Sequence, residues 1–125
     1  MEGCICRYDI QGLADELEVE LSDIVKLYSN YIEEMASEIE EMQKFLLKKD
    51  WVMLERVVHN IKGVSANLNI EDVFNEAEAF DNLLKKGVAD DSGYYVNNIE
   101  TLLKAAENEI KSFFAQYGLA LGGGH

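Results

Sequence analysis

Apolar residues recur every three or four positions along most of the chain, which is the spacing of amphipathic helices. The longest stretch runs from Ser22 to about Lys48. Its apolar positions are Ile24, Leu27, Tyr28, Tyr31, Met35, Ile39, Met42 and Leu46. Ser22 is the predicted N-cap of this helix, and Lys48 and Lys49 suit its negative carboxyl end. A shorter stripe upstream predicts a small helix packed across one end of a bundle; it consists of Ile10, Leu13, Ala14 and Leu17.

Three more helices are predicted downstream. The first is capped by Asp50, ends at Asn69 and turns these residues inward: Leu54, Val57, Val58, Ile61, Ser65 and Leu68. The second runs from about Ile70 to Lys86 before Gly87, with Val73, Ala77, Phe80 and Leu84 inward. The third starts near Ser92, lasts until Gly118 and carries Tyr95, Ile99, Leu102, Ala106, Ile110, Phe113 and Tyr117. No stretch shows the alternation of a strand.

The connections between the long helices are short, so consecutive helices should pack as antiparallel neighbours. The predicted fold is therefore all-α: an up-down-up-down four-helix bundle with a short additional N-terminal helix. The absence of proline is compatible with long helices. We expect one bundle over residues 10–118, a flexible leader over residues 1–9, and a flexible tail or expression remnant over residues 119–125.

Net charge is −13, and acidic residues are concentrated in the first third of the chain. Such a surface repels nucleic-acid phosphates and anionic lipids, which argues against both as partners. No apolar run reaches the roughly 20 residues that span a bilayer, and residues 1–8 lack the layout of a signal peptide, so a cytoplasmic location is expected. Cys4 and Cys6 are too close for an ordinary disulfide and lack a second ligand pair for zinc, so we expect free thiols whose role stays open.

His59 is the only histidine before the last residue of the chain. With 3.6 residues per turn, it falls off the apolar stripe of its helix. The residues that share its face are small or polar: Glu55, Lys62, Gly63 and Ala66. We therefore expect this face to be open to a partner.

Lys62 and Gly63 indicate which chemistry that face would serve. Lys62 lies one turn from His59 and can place an ammonium group beside the oxygens of a phosphoryl group on the ring. Gly63 costs about 1 kcal/mol relative to alanine within a helix, but it leaves room for a phosphorus atom or a partner to approach. Singly, each is most often a surface or packing residue. Their joint spacing from His59 favours a site in which His59 is the nucleophile, Lys62 holds the charged phosphoryl oxygens and Gly63 leaves space for their approach.

The ten residues from His59 to Leu68, HNIKGVSANL, resemble the signature of the histidine-containing phosphotransfer (HPt) domain family, in which His, an apolar residue, Lys and Gly precede small residues. The order of a long acidic helix, a Lys-Asp-Trp turn, the motif helix and a helix ending in Lys-Lys-Gly is also similar to the family's layout, over about residues 10 to 117. Asn69 stands where the family commonly has glycine. Asparagine is the next best residue for a left-handed helix end, so the departure leaves the fold prediction intact.

The resemblance implies a phosphorelay intermediate of a two-component signalling system. His59 would take a phosphoryl group from the aspartyl phosphate of one receiver domain and pass it to another, with Nε2 as the nucleophile and Lys62 stabilising the phosphoryl oxygens. The receiver, in a response regulator or hybrid histidine kinase, would supply the aspartate and Mg²⁺. The chain is then expected to need no cofactor or metal of its own. Glu55, Ala66 and Asn67 are the predicted docking residues.

Other functions fit the sequence less well. A carboxylate-bridged di-metal bundle needs Glu-x-x-His on two helices, whereas Arg56 stands three residues before His59 and the bundle has no second histidine. An autonomous kinase needs a glycine-rich nucleotide loop, which is missing. We therefore predict a monomeric phosphoryl carrier that is not an enzyme. The alternative is a helical interaction module that docks without phosphorylation, and stoichiometric labelling of His59 would separate the two.

Overall fold

The computed structural model describes residues 6–121, and every regular element in that range is a helix. The helices are α1 (Ile10–Leu17), α2 (Leu21–Lys48), α3 (Trp51–Asn67), α4 (Glu71–Lys85) and α5 (Ser92–Ala115). The all-α prediction is confirmed. Across residues 6–121, no helix combines the length and the apolar character that crossing a bilayer requires. Cys4 and the glycine-rich end of the chain lie outside the described residues.

The four long helices pack in a closed ring, in which α2 contacts α3, α3 contacts α4, α4 contacts α5 and α5 returns to α2. Because the connections are short, the chain reverses direction at each one. This confirms the up-down-up-down bundle. The short helix α1 packs on α2, as the additional N-terminal helix was predicted to do. The motif helix α3 lies between α2 and α4, so both neighbours can contribute side chains around His59.

Helix ends follow local chemistry at three of the four predicted positions. The Asp50 carboxylate accepts a hydrogen bond from the Met53 amide at 3.2 Å and caps α3. Asn69 (φ 62°) and Gly87 (φ 80°) adopt the left-handed conformation that ends helices, as predicted. The prediction for Ser22 is wrong. Helix α2 begins one residue earlier, and Glu20 occupies its cap position without a side-chain hydrogen bond.

The predicted core of α3 is confirmed, since all six of its inward positions are buried. Leu17, Leu27 and Tyr117 are exposed, contrary to prediction. The buried line of α5 is displaced by one residue at three turns, where Val96, Leu103 and Phe114 are buried and their predicted neighbours are only half-buried. Each of those turns carries two adjacent apolar residues. Periodicity alone cannot choose between them, and packing against α2 and α4 does.

The end of the predicted leader contacts the bundle. Tyr8 is buried, and Arg7 forms ion pairs with Asp72 of α4 at 2.8 Å and Glu109 of α5 at 2.6 Å. Cys6 is half-buried against the core. The segment just before α1 is thus tied to two helices, whereas the domain boundaries and the flexibility of the termini stay predictions.

Candidate functional site

His59 lies on the face of α3 that does not enter the core, and its side chain is 57% exposed. A Cβ atom added at Gly63, one turn further along, would lie more than 4 Å from every atom other than those of its chain neighbours and the backbone of its own helix. Ala66 and Asn67 are also exposed, and Glu55 is half-buried one turn before His59. The face that the sequence singled out is therefore exposed at His59 and has space at Gly63.

The residue that organises this face comes from the neighbouring helix. Asp81 of α4 is completely buried, and its Oδ2 atom lies 3.1 Å from Nδ1 of His59. Asp81 reaches this position because it lies on the inward side of α4 between Ala77 and Leu84, where α4 packs on α3. The exposed imidazole ring of His59 is thus hydrogen-bonded on its inner side to a buried carboxylate.

Two lysines converge on the same carboxylate oxygen. Lys62 Nζ lies 3.0 Å from Asp81 Oδ2, and Lys85 Nζ lies 3.1 Å from it. Lys85 also lies 4.0 Å from Glu55. We call Glu55, His59, Lys62, Asp81 and Lys85 the Asp81 cluster. It joins the predicted site residues of α3 to two α4 residues that were not predicted as parts of the site.

The pKa values of the two carboxyl groups of the cluster, Asp81 and Glu55, are shifted in opposite directions. Burial alone would raise the pKa of Asp81, but its interactions with Glu55, Lys62, His59 and Lys85 outweigh it and hold that pKa well below its ordinary range. The neighbouring Asp81 carboxylate, and then partial burial, raise the pKa of Glu55. Asp81 is therefore held in its anionic form.

The anionic state of Asp81 determines the tautomer of His59. An ionised carboxylate can only accept hydrogen bonds, so Nδ1 of the neutral ring carries the hydrogen and donates it to Oδ2. The lone pair available for reaction then resides on Nε2. The arrangement presents an exposed imidazole with one defined nucleophilic nitrogen.

Glu55, His59 and Asp81 each offer a potential metal-ligand atom, and these atoms lie within 4.8 Å of one another. The two ammonium groups at 3.0 and 3.1 Å already compensate the charge of Asp81. A divalent cation would have to displace both of them against their own positive charge. The arrangement therefore favours an ion-pair network over a metal site.

Acidic residues of α2 contact Asn60, the residue that follows His59 in α3. The amide of Asn60 donates to Glu34 Oε2 at 2.9 Å and to Glu38, which ties α3 to α2 directly beside His59. Burial raises the pKa of Glu38 above its ordinary value. The contacts of Asn60 with Glu34 and Glu38 therefore join α3 to α2, while the Asp81 cluster joins it to α4.

Sequence reasoning missed Asp81, although a signal for it exists. Asp81 interrupts the apolar stripe of α4, four residues after Ala77 and three before Leu84. An acidic residue at a core position is rare unless it is paired. Lys85 stands one turn later and matches it, although the sequence indicated only a basic last turn there.

A family model described as "Hpt domain" matches residues 26–109, which is more than half of the chain and includes the whole Asp81 cluster. No curated protein and no solved structure matches the chain significantly.

Proposed function

The chain belongs to the Hpt domain family, whose role is histidine phosphotransfer in two-component signalling, and on that premise we propose that it is a phosphorelay intermediate. His59 accepts a phosphoryl group from the aspartyl phosphate of one receiver domain and transfers it to the aspartate of another. One observation carries this proposal. His59 is more than half exposed, yet its Nδ1 atom is held 3.1 Å from a buried carboxylate. An ordinary surface histidine has no need of such support.

In the proposed step, the Nε2 lone pair of His59 attacks the phosphorus atom of the aspartyl phosphate. The N–P bond forms as the acyl O–P bond breaks, and its electron pair leaves with the receiver's carboxylate. The proton on Nδ1 stays in place. The ring gains positive character as the bond forms, and Asp81, 3.1 Å from Nδ1, stabilises that charge. Reversal of the same events returns the phosphoryl group to a second receiver.

Lys62 contributes a fixed positive charge to this step. Its ammonium group lies 3.0 Å from Asp81 Oδ2, which is itself hydrogen-bonded to the reacting ring. From there it favours the negative phosphoryl oxygens, whereas the receiver supplies the Mg²⁺ and the acyl phosphate. The chain thus serves as a phosphocarrier, as Hpt domains do, and has no kinase activity of its own.

Docking of the receiver would use the exposed side of α3. Gly63 leaves open space beside the ring, and Ala66 and Asn67 continue the same exposed face one turn further on. Glu55 borders the ring from the other side. We propose a monomer that meets receiver domains of response regulators or hybrid kinases on this face, in the cytoplasm.

Transfer from purified receiver domains tests the proposal. Each receiver domain of the source organism is labelled with ³²P on its aspartate, freed of excess donor and mixed with the chain. The expected result is rapid, acid-labile and base-stable labelling of the wild-type chain by at least one receiver, and none of His59→Gln. Binding of phosphorylated receivers without any transfer would contradict the proposal and favour an interaction module.

A further inference from the structure

We propose that Lys85 is a second phosphate-binding residue of this site, which exchanges Asp81 for the phosphoryl group when His59 is phosphorylated. The inference rests on the proposed function of His59 and adds a residue to it. Three nitrogen atoms crowd one oxygen of the site. Asp81 Oδ2 lies 3.0–3.1 Å from His59 Nδ1, Lys62 Nζ and Lys85 Nζ.

Three donors exceed what this oxygen can satisfy. A carboxylate oxygen offers two lone pairs, so two donors can be well placed and the third is held mainly by charge. The two lysines also bring two positive charges to a single anion. Glu55 holds the second ammonium group only loosely, because its Oε2 atom is 4.0 Å from Lys85 Nζ. Asp81 Oδ1 has no hydrogen-bond partner among the described residues, so all three donors depend on Oδ2 and one ammonium group is available to another anion.

Burial indicates that the available group is Lys85. The side chain of Lys62 is 19% exposed, whereas that of Lys85 is 49% exposed. Lys62 extends from the same helix as His59 and is enclosed between helices. Lys85 extends from the last turn of α4, just before the left-handed Gly87, and its flexible four-carbon stem has space to move. Moving Lys85 leaves Asp81 with both of its other donors.

A phosphoryl group on Nε2 provides a stronger attraction than Asp81 does. It adds close to two negative charges and three acceptor oxygens. Lys85 already lies within two hydrogen-bond lengths of the ring, through Asp81 Oδ2. Its movement breaks and forms only hydrogen bonds, so the covalent step is unchanged. Lys62 would then stay bonded to Asp81, from where its charge still favours the phosphoryl oxygens, while Lys85 contacts these oxygens directly.

The test uses phosphoramidate, a small donor that phosphorylates histidine without a receiver, so that docking does not enter. The full chain is compared with Lys85→Gln, Lys85→Arg and the matched control Lys86→Gln. Lys86 is the next residue, is exposed and makes no ion pair among the described residues. Lys85→Gln should slow labelling of His59 by about tenfold at low salt, Lys86→Gln by less than about twofold, and Lys85→Arg should recover most of the rate.

Two further readouts separate phosphate binding from a structural role. The melting temperature of Lys85→Gln should stay within about 3 °C of wild type, because a half-exposed ion pair contributes little stability. On phosphorylation, the ¹³Cε–¹Hε signal of Lys85 should shift more than that of Lys62.

Equal labelling rates for Lys85→Gln and Lys86→Gln would overturn the proposal. A Lys85 signal that does not shift on phosphorylation would also overturn it. So would a loss of stability in Lys85→Gln large enough to account for its slower reaction. A wild-type chain that phosphoramidate and receivers both fail to label would instead refute the function proposed for His59, and the role of Lys85 with it.

Discussion

Replacing Asp81 with asparagine removes the negative charge at this position while keeping the shape of the side chain. Asp81 is completely buried and faces two ammonium groups at 3.0 and 3.1 Å. Loss of one partner from a buried ion pair costs roughly 3–5 kcal/mol, because the remaining charge is left without compensation. Here Lys62 is 19% and Lys85 49% exposed, so water recovers part of that loss. We expect a net destabilisation of about 2–3 kcal/mol.

Urea and thermal unfolding, followed by circular dichroism, measure this effect. For a chain of this length the expected change corresponds to a fall in melting temperature of roughly 8–11 °C. Asp90→Asn is the matched control, since Asp90 is exposed in the α4–α5 connection and should change stability by less than about 0.5 kcal/mol.

The same variant tests the reactivity of His59. Without an anionic acceptor, Nδ1 no longer holds its hydrogen in preference to Nε2, and the developing positive charge loses its counterion. Labelling by phosphoramidate should slow by about tenfold in Asp81→Asn and be unchanged in Asp90→Asn. If Asp81→Asn equals its control in both stability and labelling rate, the carboxylate neither anchors the lysines nor orients the ring, and the electrostatic account of the site is wrong.

Three other predictions concern the same site. The pKa of Asp81 is lowered in the folded state, so its contribution to stability is present above its ordinary value near 4 and is lost as pH falls below it. The difference in unfolding free energy between wild type and Asp81→Asn, measured by urea unfolding, should therefore shrink below about pH 4. Lys62→Ala should lower the melting temperature by several degrees and slow transfer from a receiver without abolishing it. Complete loss of transfer in a variant that still folds and docks would show that Lys62 is essential for the reaction. Gly63→Ala should keep the stability of wild type or raise it by up to about 1 kcal/mol, with modestly weaker transfer. Gly63→Gln should reduce transfer far more than stability. A Gly63→Ala variant that is strongly destabilised but fully active would refute the idea that Gly63 provides space for the receiver beside His59.

Much of the fold could be predicted from the sequence because each long helix carries its own apolar stripe and local end signals. The α3 core, the Asp50 cap and the left-handed Asn69 depend on residues within one or two turns of each other. Errors arose where a local pattern admits two solutions. Ser22 is a good capping residue, but the helix extends past it to Leu21. In α5, paired apolar residues such as Leu102 and Leu103 left the inward side undecided until α2 and α4 were in place.

The site was predictable only as far as it lies on one helix. His59, Lys62 and Gly63 are close in sequence, so helical geometry alone places them on neighbouring positions. Asp81 and Lys85 are separated from them by a turn and most of α4. Their contacts depend on how α3 and α4 pack, which periodicity does not specify. The structure also adds a partner for Lys62, whose ammonium group is bonded to Asp81 before any phosphate arrives.

The central claim is that Nε2 of His59 accepts a phosphoryl group from a receiver, and the most direct test is to locate the phosphate after transfer. The ¹⁵N-labelled chain is mixed with a phosphorylated receiver and studied by mass spectrometry and by ³¹P and ¹⁵N NMR. The account predicts one acid-labile phosphate per chain, mapped to His59, with coupling of phosphorus to Nε2 and a hydrogen retained on Nδ1. Phosphate on another residue, coupling to Nδ1, or no phosphate from any receiver of the organism would contradict it.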